Sequence, residues 1–372
     1  MGAPTHTEPL DDAALAWLAL ALVPELLPRR AFALVEHFGT PRAVLEAPAA
    51  ALAAAGVRPA AVASIGRAAG RARAETRRLA AAGATLVAWS DDAYPPALRH
   101  IAQPPLVLAV RGSLDGPDQP AIAIVGARRA SDYGRRMAEE LGRRFAEAGV
   151  TVVSGLAAGI DAGAHRGALS AGGRTVAVFG TGIDRVYPRW HRELAGGIAG
   201  QGALVSEFPC GTPPRQFHFP RRNRIISGLT RGTIVVEAAE DSGSLITAGC
   251  ALEQNRDLFA VPGSAGVPAH RGSNRLIQQG ARLVTRAEDV LEELWPELLP
   301  RLAARRTAAA EAALSAPERD ILAALGPEER HVDDVIRRAA VAPGAALETL
   351  LALELRGLVC QLPGKRFCRR AA

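Results

Sequence analysis

The sequence predicts an α/β protein, in which a small helical domain precedes a central parallel sheet and a small module of helices and a hairpin follows it. Three observations support this prediction. Alanine-rich segments with helical spacing fill residues 1–83, and short β-branched runs alternate with helical segments over residues 84–295. After a linker at 296–313, helical segments followed by two strand-like runs fill residues 314–372. A chain of 372 residues is long enough for two or three domains.

The N-terminal domain is predicted from its periodicity and its turn residues. In "RAFALVEHFGTPRAVLEA" apolar residues recur at helical intervals, and Gly39 and Pro41 indicate a short turn between helices. The longest apolar run, "AALAWLALALV", is too short to cross a bilayer, and the acidic start "MGAPTHTEPLDD" is unlike a signal peptide. The four cysteines form no CxxC pair. These features predict a reduced, cytoplasmic protein without a membrane segment.

The central domain is predicted from short strand-like runs, each closed by a glycine or a polar turn. The runs are "TLVAW", "AIAIVG", "VTVVSG", "RTVAVFG", "ALVSEF", "TIVVEA", "DLFAVPG" and "ARLV". Helical stretches such as "GRRMAEELGRRFAEAG" and "LITAGCALEQN" lie between them. Strands that alternate with helices favour a parallel sheet covered on both faces. Such sheets bind their ligands at the carboxyl ends of the strands.

The C-terminal module has the outline of a winged helix-turn-helix. Ser315 and Glu318 form a capping box that begins one helix. "VDDVIRRAA" and "GAALETLLALELRG" are typical of two further helices. "LVCQLPGKRFCRR" predicts two strands joined at Pro363-Gly364. Three helices followed by a hairpin is the order of elements in a winged helix.

Several candidate anion contacts follow the predicted strands. The net charge of +6 favours an anionic partner. Gly126 and Arg128 follow "AIAIV", but the three-glycine fingerprint is missing, so NAD and FAD are disfavoured and no cofactor is predicted. Arg189 lies among aromatic residues in "VYPRWH", as in single-strand binders. Ser242 and Ser244 begin a helix whose amides favour an anion. A surface arginine, a packed loop and simple helix capping are the structural alternatives.

The stretch "HFPRRNRIISGL" gathers Arg221, Arg222 and Arg224 in a short segment. Pro220 predicts that a helix begins there. Positive charge at a helix N-terminus opposes the helix dipole. We therefore expect an external polyanion to supply the missing negative charge, and Phe219 can stack on a base.

Catalytic and metal-binding patterns are weak in this sequence. Asp161 and His165 have the i, i+4 spacing of a metal pair, but no third ligand is evident. Ser154 with His165 lacks the G-x-S-x-G turn of an activated serine. Helix capping and packing explain these residues better. The sequence therefore predicts no catalytic residue and no metal site, and the protein is expected not to be an enzyme.

These motifs resemble the DprA/Smf family of bacterial DNA-processing proteins. The matching runs are "AIVGARRASDYG", "SGLAAGIDAGAH", "GTGIDRVYP", "SEFPCGTPP", "HFPRRNRIISGL", "VVEAAEDSGSLITA", "FAVPGS" and "RGSNRLIQQGA". The resemblance implies an extended Rossmann-like central domain that binds single-stranded DNA. It also implies a SAM-like or helix-hairpin-helix-like N-terminal domain and a C-terminal winged helix. The implied function is to protect incoming single strands during natural transformation and to load the RecA recombinase, with the protein acting as a homodimer.

The resemblance also assigns site residues. The family's Gly-x-Arg contact corresponds to Gly126 and Arg128, its basic residue after "YP" to Arg189, and its "RNRI" segment to Arg222–Ile225. Ala158 stands where the family commonly has an arginine, and the turn glycines of a helix-hairpin-helix are missing near "LVPELLPRR". The predicted DNA-binding residues are Gly126, Arg128, Arg189, Phe219, Arg221, Arg222, Asn223, Arg224, Ser242 and Ser244.

Two other functions are compatible with this architecture. One is a nucleotide phosphoribohydrolase with a Rossmann-like fold, whose PGGxGTxxE motif the chain lacks. The other is a winged-helix transcription regulator with a nucleotide-sensing domain. Its expected recognition helix carries Glu348 and Glu354 and a single cation, Arg356, whereas helices that bind duplex DNA usually have more positive charge. The sequence therefore favours a non-catalytic binder of single-stranded DNA.

Overall fold

The computed structural model describes residues 12–114, 120–312, 314–326 and 328–369. The acidic N-terminal run lies outside the described residues apart from its last residue, Asp12. The described residues up to Val290 form one compact unit, and those from Leu291 onward form a second. The finer division of the first unit at residue 83 stays a prediction. Within the described residues, no helix is both long and apolar enough to span a bilayer.

The described chain begins with helices, which confirms the predicted N-terminal helical region. They are α1 (Asp12–Ala21), α2 (Pro28–Phe38), α3 (Pro41–Glu46), α4 (Ala49–Ala54), α5 (Pro59–Ile65) and α6 (Ala68–Ala81). Gly39 turns the chain between α2 and α3 with a φ of 90°, a conformation that glycine adopts readily. Trp17 packs on Phe32 and Trp89 with ring centroids 5.4 and 5.7 Å apart. Because Trp89 follows the first strand, this aromatic cluster joins the helices to the edge of the sheet.

Nine strands of the described chain form a mostly parallel sheet, which confirms the predicted α/β class. They are β1 (Thr85–Ala88), β2 (Val107–Gly112), β3 (Ala121–Val125), β4 (Thr151–Ser154), β5 (Thr175–Val178), β6 (Ala203–Ser206), β7 (Gly232–Val235), β8 (Asp257–Ala260) and β9 (Arg282–Leu283). Their order is β1-β2-β6-β5-β4-β3-β7-β8-β9. The β1–β2 and β2–β6 pairs are antiparallel, and the others are parallel.

The central strands β3 to β7 are buried and mainly apolar, with threonine or serine at a few positions, as in a sheet covered by helices on both faces. Helices lie between and after the strands of this sheet. They are α7 (Pro96–Arg99), α8 (Asp132–Ala148), α9 (Ile160–Ser170), α10 (Arg192–Gln201), α11 (His218–Gly228), α12 (Ser244–Glu253), α13 (Arg271–Gln278) and α14 (Ala287–Leu294). The strand order reverses at β3, which lies between β4 and β7. The crevice outside the carboxyl ends of β3 and β7 is therefore the topological switch point, where such sheets bind ligands.

Helix α11 begins earlier than the sequence predicts. Pro220 was expected to begin it, but the helix starts at His218. The His218 amide donates to the Arg215 carbonyl at 3.0 Å, which starts the helical turn before the proline. A proline is tolerated anywhere in the first turn, because the amides there have no intrahelical acceptor.

The second unit confirms the predicted winged helix. Its helices and strands are α15 (Leu299–Ala312), α16 (Ala316–Leu325), β10 (Arg330–His331), α17 (Val332–Ala339), α18 (Pro343–Leu355), β11 (Val359–Leu362) and β12 (Arg366–Arg369). The Glu318 carboxylate accepts a hydrogen bond from the Ser315 amide at 2.8 Å, as the capping box predicts. The segment predicted as a linker contains α15. The short strand β10, which pairs with β12, was not predicted.

Candidate nucleic-acid interface

A cleft of about 540 Å³ opens at the topological switch point of the sheet. The loops that follow β3, β4, β5, β6 and β7 supply its walls, because the carboxyl ends of parallel strands meet at one edge. Of the ten predicted DNA-binding residues, Arg189, Arg221 and Arg224 are not part of the cleft lining. The remaining seven line it: Gly126, Arg128, Phe219, Arg222, Asn223, Ser242 and Ser244.

A stack of three side chains forms one wall of the cleft. The guanidinium carbon of Arg128 lies 5.0 Å from the centroid of the Phe219 ring, within cation–π range. The centroid of the Phe219 ring lies 5.7 Å from that of Tyr187, a residue that is 44% exposed. Gly180 makes room for the stack, because a Cβ there would lie 2.8 Å from Phe219 Cδ1. The wall combines open aromatic surface with a cation, as single-strand binding sites do.

Tyr187 is the member of this stack that the sequence-based set of site residues omits. The motif "VYPRWH" pointed to this loop, but Arg189 was selected from it. In the structure Arg189 lies in a single turn of 3₁₀ helix, is exposed to solvent and lies outside the cleft lining. The fold of a loop decides which of its side chains points into a cleft. The composition of the loop alone does not predict that side chain.

Arg222 lies beneath the cleft and is only 3% exposed. Its guanidinium donates to the Val178 carbonyl at 2.5 Å. Burial lowers the pKa of Arg222 to about 10, although the nearby Asp161 raises it, so the side chain stays charged at neutral pH. Burial raises the pKa of Asp161, which Arg222 opposes. The Asp161 carboxylate accepts from the amides of Gly155 and Ala157 at 3.1 and 3.2 Å.

The other two arginines of this segment have an internal partner. The Glu207 side chain is 3% exposed and accepts from Arg224 at 2.5 Å and from Arg221 Nε at 3.2 Å. The expectation that a polyanion from outside balances all three arginines is therefore wrong, because a buried carboxylate pairs with two of them. The side chain of Arg224 is only 12% exposed. As DNA contacts, Arg221 and Arg224 stay predictions.

Another buried carboxylate occupies the turn at which dinucleotide-binding folds hold a pyrophosphate. Glu237, just after β7, accepts from the Ser131 amide at 3.1 Å and from its hydroxyl at 2.5 Å. Ser131 is the N-cap of α8, the helix that follows β3. Negative charge stabilises a helix N-terminus. Since Glu237 already supplies that charge, the turn at Gly126 is a poor site for the phosphates of a nucleotide.

The N-terminus of α12 also lines the cleft. The hydroxyls of Ser242 and Ser244 lie 2.8 Å apart, and the Ser244 amide is 3.4 Å from the Ser242 hydroxyl. The N-cap position belongs to Gly243, which has no side chain to cap the helix. Asn223 Nδ2 donates to the Gly243 carbonyl at 3.4 Å. The predicted serines therefore hydrogen-bond to each other, and the partly positive end of α12 borders the cleft.

The loop between β6 and α11 is held at its base from two sides. The Cys210 amide donates to the Glu75 carboxylate of α6 at 2.6 Å, and the Gly211 amide donates to the Asp184 carboxylate at 2.8 Å. Burial and the nearby Glu75 raise the pKa of the Cys210 thiol to about 12. Gln216, further along this loop, lines the cleft. The N-terminal helices therefore contact the base of the loop that forms part of the wall.

Asp161, His165 and Ser154 have packing partners in the structure, as the sequence suggested. His165 is buried, and its Nδ1 lies 2.7 Å from the Thr175 hydroxyl. The Ser154 hydroxyl donates to the Ile124 carbonyl at 2.6 Å. Within the described residues, no group of three or more His, Cys, Asp or Glu side chains could hold a metal ion.

We expect His165 to make the fold sensitive to mild acid. Burial, followed by the charge of Arg222, lowers its pKa from 6.5 to about 3. The unfolded chain therefore takes up this proton first as the pH falls below about 6.5, and stability is lost progressively down to about pH 3. From pH 7 to pH 5 this single group should lower the free energy of unfolding by about 2 kcal/mol.

Urea unfolding at pH 7 and pH 5 measures this effect, with His165→Asn as the comparison. The other histidines are present in both proteins, so the difference between the two pH dependences isolates His165. An equal loss of stability on acidification in both proteins would contradict the assignment.

Models of two protein families match the chain. The model of DNA recombination-mediator protein A matches residues 85–295, and that of the DprA winged helix domain matches residues 305–365. Protein Smf of Escherichia coli is 44% identical over 285 residues, which cover 75% of this chain and 76% of that protein. DNA processing protein DprA of Streptococcus pneumoniae is 46% identical over 203 residues, which cover 55% of this chain and 72% of that protein.

Solved structures are also similar to this fold. The X-ray structure of DprA from Streptococcus pneumoniae matches with a TM-score of 0.65 and 37% identity, over 74% of this chain and 95% of that one. DNA processing protein A from Helicobacter pylori, whose structure was described for its single-stranded DNA binding mode, matches with a TM-score of 0.53. Its identity is 27%, over 58% of this chain and 98% of that one.

Proposed function

Since the chain belongs to the DprA/Smf family of DNA recombination-mediator proteins, we propose that it binds single-stranded DNA in the cleft at the carboxyl edge of its sheet. The observation that carries this proposal is the open stack of Arg128, Phe219 and Tyr187 on the cleft wall. Base–aromatic stacking tolerates any sequence, because every base has a π-face. The related protein from Helicobacter pylori, described for the same kind of ligand, supports the proposal.

The cleft favours a single strand over a duplex. Bases in a duplex are stacked on one another and cannot lie on a protein ring unless they are extruded at a cost. The bases of a single strand are unpaired and can stack on a protein ring directly. At about 540 Å³, the cleft is in the range of about 300–1,000 Å³ that is typical of small-ligand sites. It therefore suits one or a few nucleotides at a time, with the rest of the strand lying along the surface.

Phosphate groups would find two sources of positive potential at the cleft. The buried Arg222 stays charged at neutral pH, although its Nε is inaccessible to a phosphate. The N-terminus of α12 at Gly243 and Ser244 supplies a favourable position for an anion. With bases on the aromatic wall and phosphates near α12, the strand would lie across the switch point of the sheet.

We further propose that the protein holds the strand without cleaving it. Among the described lining residues, Asp161 is the carboxylate, and its oxygen accepts hydrogen bonds from two backbone amides. These hydrogen bonds give the carboxylate a structural role in holding the loop after β4. The accompanying proposals are that the protein protects incoming strands in the cytoplasm, acts as a homodimer and transfers the strand to RecA, as its family membership suggests.

Titrating the full chain with labelled oligonucleotides tests the proposed function. We expect a single strand to bind at least about tenfold more tightly than a blunt duplex of equal length, because stacking requires unpaired bases. The logarithm of the affinity should fall linearly with the logarithm of the salt concentration. Equal affinity for both forms at the same salt concentration would contradict the proposal.

A further inference from the structure

Two cysteines are directly opposite one another in the hairpin of the winged helix. Cys360 of β11 and Cys368 of β12 are Cα partners in the antiparallel register. Directly opposite residues of this kind have Cα atoms about 4.5–5.5 Å apart and project to the same face. A disulfide requires a Cα separation of about 4.4–6.8 Å. The register therefore allows the two thiols to bond without a shift of the backbone.

Both thiols lie on the outer face of the hairpin. Val359 and Phe367, each one residue earlier on its strand, are buried in the core of the module. Successive side chains of a strand point to opposite faces, so Cys360 and Cys368 point away from that core. Both cysteines are half-buried and free. A small oxidant can therefore reach them from solvent.

We propose that Cys360 and Cys368 form a redox site, which closes to a cross-strand disulfide when the protein meets a peroxide. One thiolate attacks a peroxide oxygen, the O–O bond breaks, and a sulfenic acid and a first water are formed. The second thiolate attacks the sulfenic sulfur, the S–S bond forms, and the S–O bond breaks to release a second water. Two thiols thereby lose two electrons and two protons, and hydrogen peroxide is reduced to two molecules of water.

The bond would restrain the wing of the module. It closes a short loop around the turn at Pro363, Gly364 and Lys365, and so limits the freedom of β11 and β12 to separate. In a reducing compartment such a disulfide is transient, and its presence indicates that the protein has been exposed to an oxidant. This inference depends on the register of the hairpin and is independent of the proposed DNA cleft.

The primary test is a peptide map of the full chain after treatment with hydrogen peroxide and alkylation of the remaining thiols. Trypsin separates residues 357–365, with Cys360, from residues 367–369, with Cys368. We expect a single disulfide-linked pair of these two peptides, lighter than their sum by two hydrogen atoms. Cys210 and Cys250 are internal controls, because neither has a cysteine opposite it in a strand register. Oxidation of Cys360 or Cys368 to sulfinic acid without the linked pair would overturn the proposal.

Amide hydrogen exchange tests the structural consequence. Peroxide should slow exchange across residues 359–369 by about tenfold or more, because the bond restricts local opening of the hairpin. The Cys360→Ser variant keeps the size of the side chain and cannot form the bond, so peroxide should leave its exchange unchanged. If the amides of the disulfide-linked hairpin exchange as fast as those of the reduced hairpin, the disulfide does not restrain the wing.

Discussion

Replacing Arg222 with alanine lowers the free energy of unfolding by about 3–5 kcal/mol, as expected when one partner of a buried charge pair is removed. Arg222 is 3% exposed and lies close enough to Asp161 for each to shift the pKa of the other. Without Arg222, the buried Asp161 carboxylate loses its positive neighbour and the Val178 carbonyl loses its donor. The space that the guanidinium fills would also be left as a cavity. Urea unfolding at neutral pH measures the loss.

Arg221→Ala is the matched control, one residue earlier in the same helix. The side chain of Arg221 is 48% exposed, and Glu207 keeps its contact with Arg224 when Arg221 is removed. We therefore expect this variant to lose no more than about 1 kcal/mol. Adding Asp161→Asn to Arg222→Ala should recover part of the loss, because the unpaired charge disappears. Equal effects of Arg221→Ala and Arg222→Ala would show that the charge at Arg222 is not buried.

Replacing Arg128 with alanine is expected to weaken binding of single-stranded DNA by about 1–3 kcal/mol, or roughly 5- to 150-fold in Kd. The substitution removes the cation from the exposed stack with Phe219 and leaves the ring in place. Stability should hold or rise slightly, because Arg128 is exposed and its charge disfavours the buried charge of Arg222. Oligonucleotide titration and urea unfolding of the same preparation separate the two effects.

The neighbouring Arg129 provides the control for net charge. It is exposed, as Arg128 is, but it lies outside the cleft lining. Arg129→Ala lowers the net charge by the same amount, so both variants lose the same long-range attraction to a polyanion. We expect Arg129→Ala to change Kd by no more than about threefold. Equal losses in the two variants would place the strand outside the cleft.

Much of the fold could be predicted from the sequence because its signals are local. The β-branched runs, the helix-spaced segments and the capping box of Ser315 and Glu318 lie within a few residues of one another, and the structure confirms each of them. Strand β10 has two residues, too few to produce a strand pattern. Helix α15 was predicted as a linker, since its alanine and arginine content favours a helix without giving it an amphipathic pattern.

The partners of the site residues could not be predicted, because they come from distant parts of the chain. Glu237 contacts Ser131 across 106 positions, and Cys210 contacts Glu75 across 135. No local pattern reports such pairs. The positive charge of "HFPRRNRIISGL" indicates that negatively charged partners are required. The fold shows that the buried Glu207 supplies part of this negative charge.

Photocrosslinking tests the central claim most directly, because it identifies the residues that touch the bases. Full-length protein would be irradiated with a single strand carrying 5-iodouracil, which couples to aromatic rings stacked against it, and the linked peptides would be sequenced. We predict links within the tryptic peptides 216–221 and 186–189, at Phe219 and Tyr187. Phe219→Leu should abolish the first link. Links confined to the winged helix or to the N-terminal helices would contradict the account.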